Sequence, residues 1–288
     1  MQSQAQDIVI DDFLIKAKRI FRRAEPSHIV NADESFWRCM EYHHRTWAPT
    51  NSSNVLIHTE GSEKSGFTAL ATVARDGQKF PLILISKGTT VKSESNWFGS
   101  GRSLNVRSNQ IPEALPNPFF NDTSSRFSSH ETITPESLTD HSPKGWTNRT
   151  TWSNYLKALR YKFIKPIDGI DFYDVRNRIF LFIDAYRVHK CEEIIDLTAG
   201  LNIDVTVIPE GMTEVHQPLD IKLFGIMKAK ARAFLTTRIA NDVLSKYNEE
   251  TRSFDGPIEP PRAITKREAT VIVENAWDNI EEYQITEA

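Results

Sequence analysis

The 288 residues carry 39% hydrophobic and 25% charged side chains and a formal net charge of −3, the makeup of an ordinary globular protein with one large domain and room for a small appendage. That balance argues against a chain dedicated to coating nucleic acid, and no apolar run approaches the ~20 residues that a bilayer span needs. Two cysteines, Cys39 and Cys191, make no disulfide framework and read as reduced intracellular thiols, and the polar, acidic first twelve residues do not read as a secretory leader.

In chain order, Phe13, Leu14, Ala17, Ile20 and Phe21 recur at helical spacing and predict a helix over about 11–23, ended by Pro26. Ile29-Val30 then leads as a short strand into Asp33. Strands follow at Val55-Leu56-Ile57, Phe67 to Val73 and Pro81 to Ile85, with Arg75-Asp76-Gly77-Gln78 as a hairpin turn between the last two. From about Ser86 to Lys144 periodic signal fades into Ser, Thr, Asn, Pro and Gly, predicting an irregular insertion over 86–144. Order returns in a helix over about 150–163, strand Ile179 to Ile183, helix Glu192 to Ala199 closed by Gly200, and strand Ile203 to Ile208. A long helix follows Asp220, and Pro257, Pro260 and Pro261 mark a linker before a last helix over about 266–282. Antiparallel strands, a helix, then strand-helix-strand-helix is the order of a ribonuclease H-like α/β fold, a mixed sheet flanked by helices. The expected organisation is a linker helix over 1–25, a catalytic domain over 26–245 and a linker with a C-terminal helix over 246–288.

Three acids stand out against that frame. Asp33 follows an apolar start, Asp184 closes Phe180-Leu181-Phe182-Ile183, and Asp220 lies 36 residues later at the start of a helix. Strand ends that meet in an α/β sheet form crevices, so Asp33 and Asp184 can share one. Each acid also has a plainer reading: a strand-end turn for Asp33 and Asp184, and a helix N-cap for Asp220. Taken together, three carboxylates in this order suggest two-metal phosphoryl transfer, and oxygen-only ligands favour Mg²⁺ or Mn²⁺.

Asn31-Ala32-Asp33-Glu34, the segment Leu181 to His189 and the segment Pro209 to Lys228, with Gln217-Pro218-Leu219-Asp220, resemble the DDE endonuclease domain of pogo-type transposases and of their jerky and centromere-protein-B-like relatives in the mariner superfamily. His189, Phe224 and Lys228 match that pattern too, and Gly145-Trp146-Thr147-Asn148 and Ala276-Trp277 are weaker echoes. The resemblance implies that Asp33, Asp184 and Asp220 are the catalytic, metal-binding residues. The donor set itself suggests two Mg²⁺ or Mn²⁺ ions, with Asp184, between the other two acids in the chain, as the expected bridging ligand. The resemblance further implies transposon-end and target DNA as partners, a homodimer, no membrane attachment and a nuclear location. This chain departs from the pattern at Ala185, where the family carries asparagine, and in the acidic Glu210 and Glu214. The family's helix-turn-helix region has no counterpart in these residues, which leaves a fragment or a shortened product as open readings. The expected function is a transposase-derived DNA endonuclease and strand-transfer domain. Its rivals are a domesticated, catalytically silent DNA- or chromatin-associated scaffold of the same origin and an RNA-cutting nuclease of the same fold.

Other groupings point to blander roles. Asp168, Asp171 and Asp174 read as a solvated loop, His43-His44 as a surface pair, and Glu34 as a neighbour of the site. His189 divides between a phosphate contact and a helix cap. Trp97 and Phe98 read as a local hydrophobic anchor, with base stacking as the rival. Basic groups at Lys16 to Arg23, at Arg149 to Lys165 and at Lys228 to Arg232 read as solvated helix faces.

Overall fold

The computed structural model describes residues 2–38, 66–90, 98, 137–185, 191–212, 216–244, 247–248, 250, 253–254 and 264–288. Its axis is β1 (Ile29–Arg38), whose side chains alternate between the two faces of a sheet covered on both sides. β1 pairs antiparallel with β2 (Gly66–Ala74), with Asp33 opposite Ala71, and β2 pairs antiparallel with β3 (Ile83–Lys87). The far edge of β3 takes β4 (Leu138–Ser142) in parallel. On its other side β1 runs parallel to β5 (Ile179–Ile183), and β5 runs parallel to β6 (Ile203–Val207). The order β4-β3-β2-β1-β5-β6 is a ribonuclease H-like sheet with one strand added at an edge.

Helices cover both faces because both faces of the central strands are apolar. On one, α2 (Arg149–Ala158) and α3 (Glu192–Gly200) bring Trp152, Tyr155, Leu156 and Ile194 onto Val30, Leu70, Ile83 and Leu181. On the other, α4 (Phe224–Leu244) and α5 (Lys266–Asp278) set Met227, Val273 and Trp277 against Phe67, Ala69, Ala71 and Leu84. α1 (Gln2–Arg23) lays Phe13, Ala17 and Ile20 on Ile29, Phe180 and Phe182. A short α6 (Glu282–Thr286) and a small hairpin of β7 (Tyr247–Asn248) and β8 (Ser253–Phe254) complete the described elements. α5 is fastened to the β2–β3 hairpin. The Trp277 indole donates to Phe80 O at 2.9 Å, and Lys79 Nζ donates to the carbonyls of Trp277, Asp278 and Ile280. A lysine there satisfies carbonyls that the end of a helix leaves open. No helix among the described residues is long and apolar enough to cross a membrane.

β5 spans the residues its unbroken apolar run predicts, and Gly77 makes the expected turn at φ +94°. Elsewhere the structure corrects the expectation. β1 continues to Arg38, so Asp33 lies mid-strand and does not follow a strand end. The stretch expected to be irregular over 86–144 ends in β4, where Thr139, Asp140 and Ser142 are buried despite their polarity. The helix over 150–163 is α2 widened into a π turn at Leu159–Phe163, and the last helix divides into α5 and α6. The strand expected at 55–57 lies outside the described residues.

Candidate active site

Asn31 lies opposite Phe182 in the parallel β1–β5 pair, so two residues further along Asp33 comes level with Asp184, just past the end of β5. The third acid arrives from the helical layer. Pro218, whose ring cannot supply an N–H, stands before a π turn at Leu219–Leu223 that runs straight into α4. Asp220 is the second residue of that turn and Pro218 holds the cap position, so the N-cap reading of Asp220 does not hold.

One side chain joins these layers. The buried Asn31 amide donates from Nδ2 to Phe182 O at 3.0 Å, and its Oδ1 accepts a long bond of 3.4 Å from Leu219 N. Leu219 and Leu223 are wholly buried in the core beneath, which fixes the turn from the other side. The sequence reading gave Asn31 no role beyond its place in a motif. A polar residue two before an acid on the same strand face was the available signal.

The outcome is a direct contact between Asp33 and Asp220, from residues 187 positions apart in the chain. Burial and the facing Asp220 carboxylate, with a smaller push from Asp184, raise Asp33 to about 8. Asp184 acts on Asp33 at longer range. Among the described residues no three acidic, histidine or cysteine side chains close into a ready-made ion cage. Asp33 and Asp184 do share a cleft of about 390 Å³ with Ala32, Glu34, Leu70, Trp146 and Trp152. Glu34 therefore belongs to the cleft wall.

The remaining candidates separate cleanly. Phe98 is buried edge-on against Phe67 at 5.5 Å between ring centres, so the anchor reading holds for it; Trp97, His43, His44, His189 and Glu214 lie outside the described residues. Asp171 and Asp174 cap turns, accepting from the backbone N–H of Tyr173 and Arg176. Lys16 pairs with Asp204 and Arg149 with Glu193. Arg160 departs from the expected solvated face: it is fully buried, stacked over the Phe172 ring at 4.4 Å and donating to Asn177 O. Trp146, noted only as an echo, stands 47% exposed at the cleft.

The sequence matches the family model for the DDE superfamily endonuclease over residues 65–288. The chain belongs to the DDE endonuclease superfamily. Within it, the chain is similar to the "Pogo transposable element with KRAB domain" proteins of Mus musculus and Homo sapiens. It is 23% identical to each over 210 residues, which are 73% of this chain and 27% of each relative. The chain thus spans about a quarter of the length of those relatives. Solved structures with which it aligns include the Mos1 mariner paired end complex with Mn, at 11% identity and TM-score 0.45, covering 96% of this chain and 56% of that one. The catalytic domain of Mos1 mariner transposase aligns at 11% identity and TM-score 0.38, over 96% and 92%. The strand order β4-β3-β2-β1-β5-β6 by itself gives this superfamily member a ribonuclease H-like fold. Its family match begins after β1, so Asp184 and Asp220 fall inside the matched residues, and the fold supplies Asp33 from outside them.

Proposed function

We propose that this DDE endonuclease chain cuts and joins DNA strands as a transposase-derived nuclease domain, with Asp33, Asp184 and Asp220 as its catalytic and metal-binding residues. The observation that carries this is the contact of Asp33 with Asp220 beside Asp184, at the one place where β1, β5 and the start of α4 meet. A fold has no structural use for a half-buried carboxylate set against two others, since each ionisation raises the cost of the next. An oxygen-only donor set of this kind fits hard divalent ions, so Mg²⁺ or Mn²⁺ is the expected cofactor, two ions in all. When bound, such ions supply Lewis acidity at the scissile phosphate and a nucleophilic oxygen at neutral pH.

The chain's own residues do the rest. On this reading Asp33, on which both other carboxylates act, would hold an ion in its deprotonated form together with Asp184 and Asp220. Asn31 holds the start of α4 against β5 and so keeps Asp220 facing Asp33. Glu34 and the two tryptophans line the cleft that Asp33 and Asp184 also border. DNA and a second copy of the chain are the partners on this reading, and the nucleus is its place.

A catalytically silent, DNA- or chromatin-associated scaffold of the same origin is the second reading. Ala185 beside Asp184, and the lack among the described residues of three acids close enough to cage an ion, favour it. Nicking of supercoiled plasmid with Mn²⁺, run beside Asp184→Asn and an EDTA control, decides between them. Metal-dependent nicking that the variant lacks supports the nuclease, and a folded, metal-binding but inert chain supports the scaffold.

A further inference from the structure

α1 packs Phe13, Ala17 and Ile20 onto the sheet, and its opposite face is exposed. Helical spacing sets Ile8 and Ile15 one above the other on that outer face, 63% and 57% exposed. Around them stand Asp7, Asp11, Asp12, Lys18, Arg19 and Arg22, all exposed and in no ion pair among the described residues. Lys16, by contrast, is taken by Asp204 on β6.

The charges are sorted along the helix. Every acid of α1 precedes Ile15 and every base follows it. Attraction to the helix dipole does not account for this, because it fades beyond the terminal turns and Asp11, Asp12 and Lys18 lie further in. Within one copy the sorting is unfavourable. Asp7 with Asp11, Lys18 with Arg22, and Arg19 with Arg23 are like charges four residues apart.

A second α1 laid antiparallel, with the two Ile15 side chains meeting on a two-fold axis, turns that cost into attraction. In this register Asp12 lies across from the partner's Arg19 along one edge of the face. Asp11 and Asp7 lie across from the partner's Lys18 and the partner's Arg22 along the other. Ile8 comes over the aliphatic stem of the partner's Arg22. A parallel pair would set like charge on like.

We infer that the outer face of α1 is the seat of a second copy of this chain, bound antiparallel through Ile15 and the sorted charges. The inference takes from the nuclease reading only its second copy and goes beyond it, since the seat serves a silent chain equally well. Two such faces bury less than about 1,200 Å² together, the class of weak and reversible interfaces, so assembly is micromolar and weakened by salt.

Sedimentation velocity of the full chain tests this. The wild type should dimerise at micromolar concentration in low salt, and roughly tenfold more weakly in high salt. Asp11→Lys with Asp12→Lys makes the face mostly basic, and Lys18→Glu with Arg19→Glu makes it mostly acidic. Each double variant should be monomeric alone, and an equimolar mixture of the two should restore the dimer. Restoration on mixing cannot come from two misfolded chains. A wild-type dimer that neither variant weakens overturns the seat and leaves the second copy to another surface. A monomeric wild type overturns it outright, and DNA binding that Lys18→Glu with Arg19→Glu then loses gives the basic half to DNA. Plasmid nicking with Mn²⁺, run alongside, reads the nuclease separately: an inert chain whose variants rescue each other supports the seat and removes the nuclease.

Discussion

Asp33 and Asp184 are held by strands, whereas Asp220 is held by a helix, and the two kinds of support differ in strength. Asp33 is paired to Ala71 within the β1–β2 ladder, and Asp184 follows directly on β5, which lies between β1 and β6, so each takes its place from adjoining backbone pairing. Asp220 reaches the others through packing of Leu219 and Leu223 and through one amide, Asn31. The contrast implies that strand-borne acids are hard to displace and that the helix-borne acid can be moved by a single substitution far from it in sequence.

The largest expected effect comes from charge and not from support. On the proposed nuclease reading, Asp33→Asn or Asp184→Asn should cut nicking by about a thousandfold or more while leaving the circular dichroism spectrum unchanged, because several kcal/mol of transition-state stabilisation would depend on the ions these acids hold. Asn31→Ala comes next and attacks the support of Asp220 alone. It strands Phe182 O and Leu219 N, so about 2 kcal/mol of stability should go, read as a lower urea midpoint. Nicking should fall ten- to a hundredfold as the helix start drifts from Asp33. An unchanged rate would show that core packing alone fixes Asp220.

The raised Asp33 group gives a prediction with a definite sign. Its folded value lies above its unfolded one, so the protonated form stabilises the fold fully below about pH 4, and that contribution is lost as pH climbs to about 8. Without metal, Asp33→Asn should therefore be more stable than wild type at pH 8, by on the order of 2 kcal/mol, and the gap should close near pH 4. Mn²⁺ should narrow the gap at pH 8 by favouring the ionised wild type. Thermal melts at the two pH values with and without Mn²⁺ check this, and a gap that is constant with pH would contradict the Asp33–Asp220 contact. The smallest effect concerns Gln217, fully buried with neither side-chain amide atom partnered among the described residues. Gln217→Met should stabilise the metal-free chain by about 1 kcal/mol. A loss instead would mean that a bridging water already satisfies the amide.

How much of this was legible in the sequence follows from what each residue answers to. β5 was readable because Ile179 to Ile183 is apolar on both faces, as a buried parallel strand must be. The second half of β1 was not, because Asp33, Glu34 and Ser35 put polar residues on both faces in succession, so no alternation of apolar and polar marks the strand. β4 was hidden for the same reason, with buried Thr139 and Asp140 resembling loop composition. The three aspartates were found through their motif, whereas Asn31, Trp146 and the burial of Arg160 depend on neighbours that are remote in sequence. Arg160 is held by Asn177 and Phe172 across a turn, and no local pattern distinguishes it from a basic residue in water.

The fastening of α5 to the β2–β3 hairpin bears on how the molecule comes into being. A ribosome delivers β1 well before β5, which follows about 150 residues later, and the sheet face over Phe67 and Leu84 is only partly covered by α4 until Val273, Trp277 and Ile285 emerge. Lys79 waits through nearly two hundred residues of synthesis for the carbonyls it will bind. The nascent chain thus carries an incompletely covered apolar sheet face while these residues are made, and a chaperone that shields it until they appear should raise the yield of folded protein.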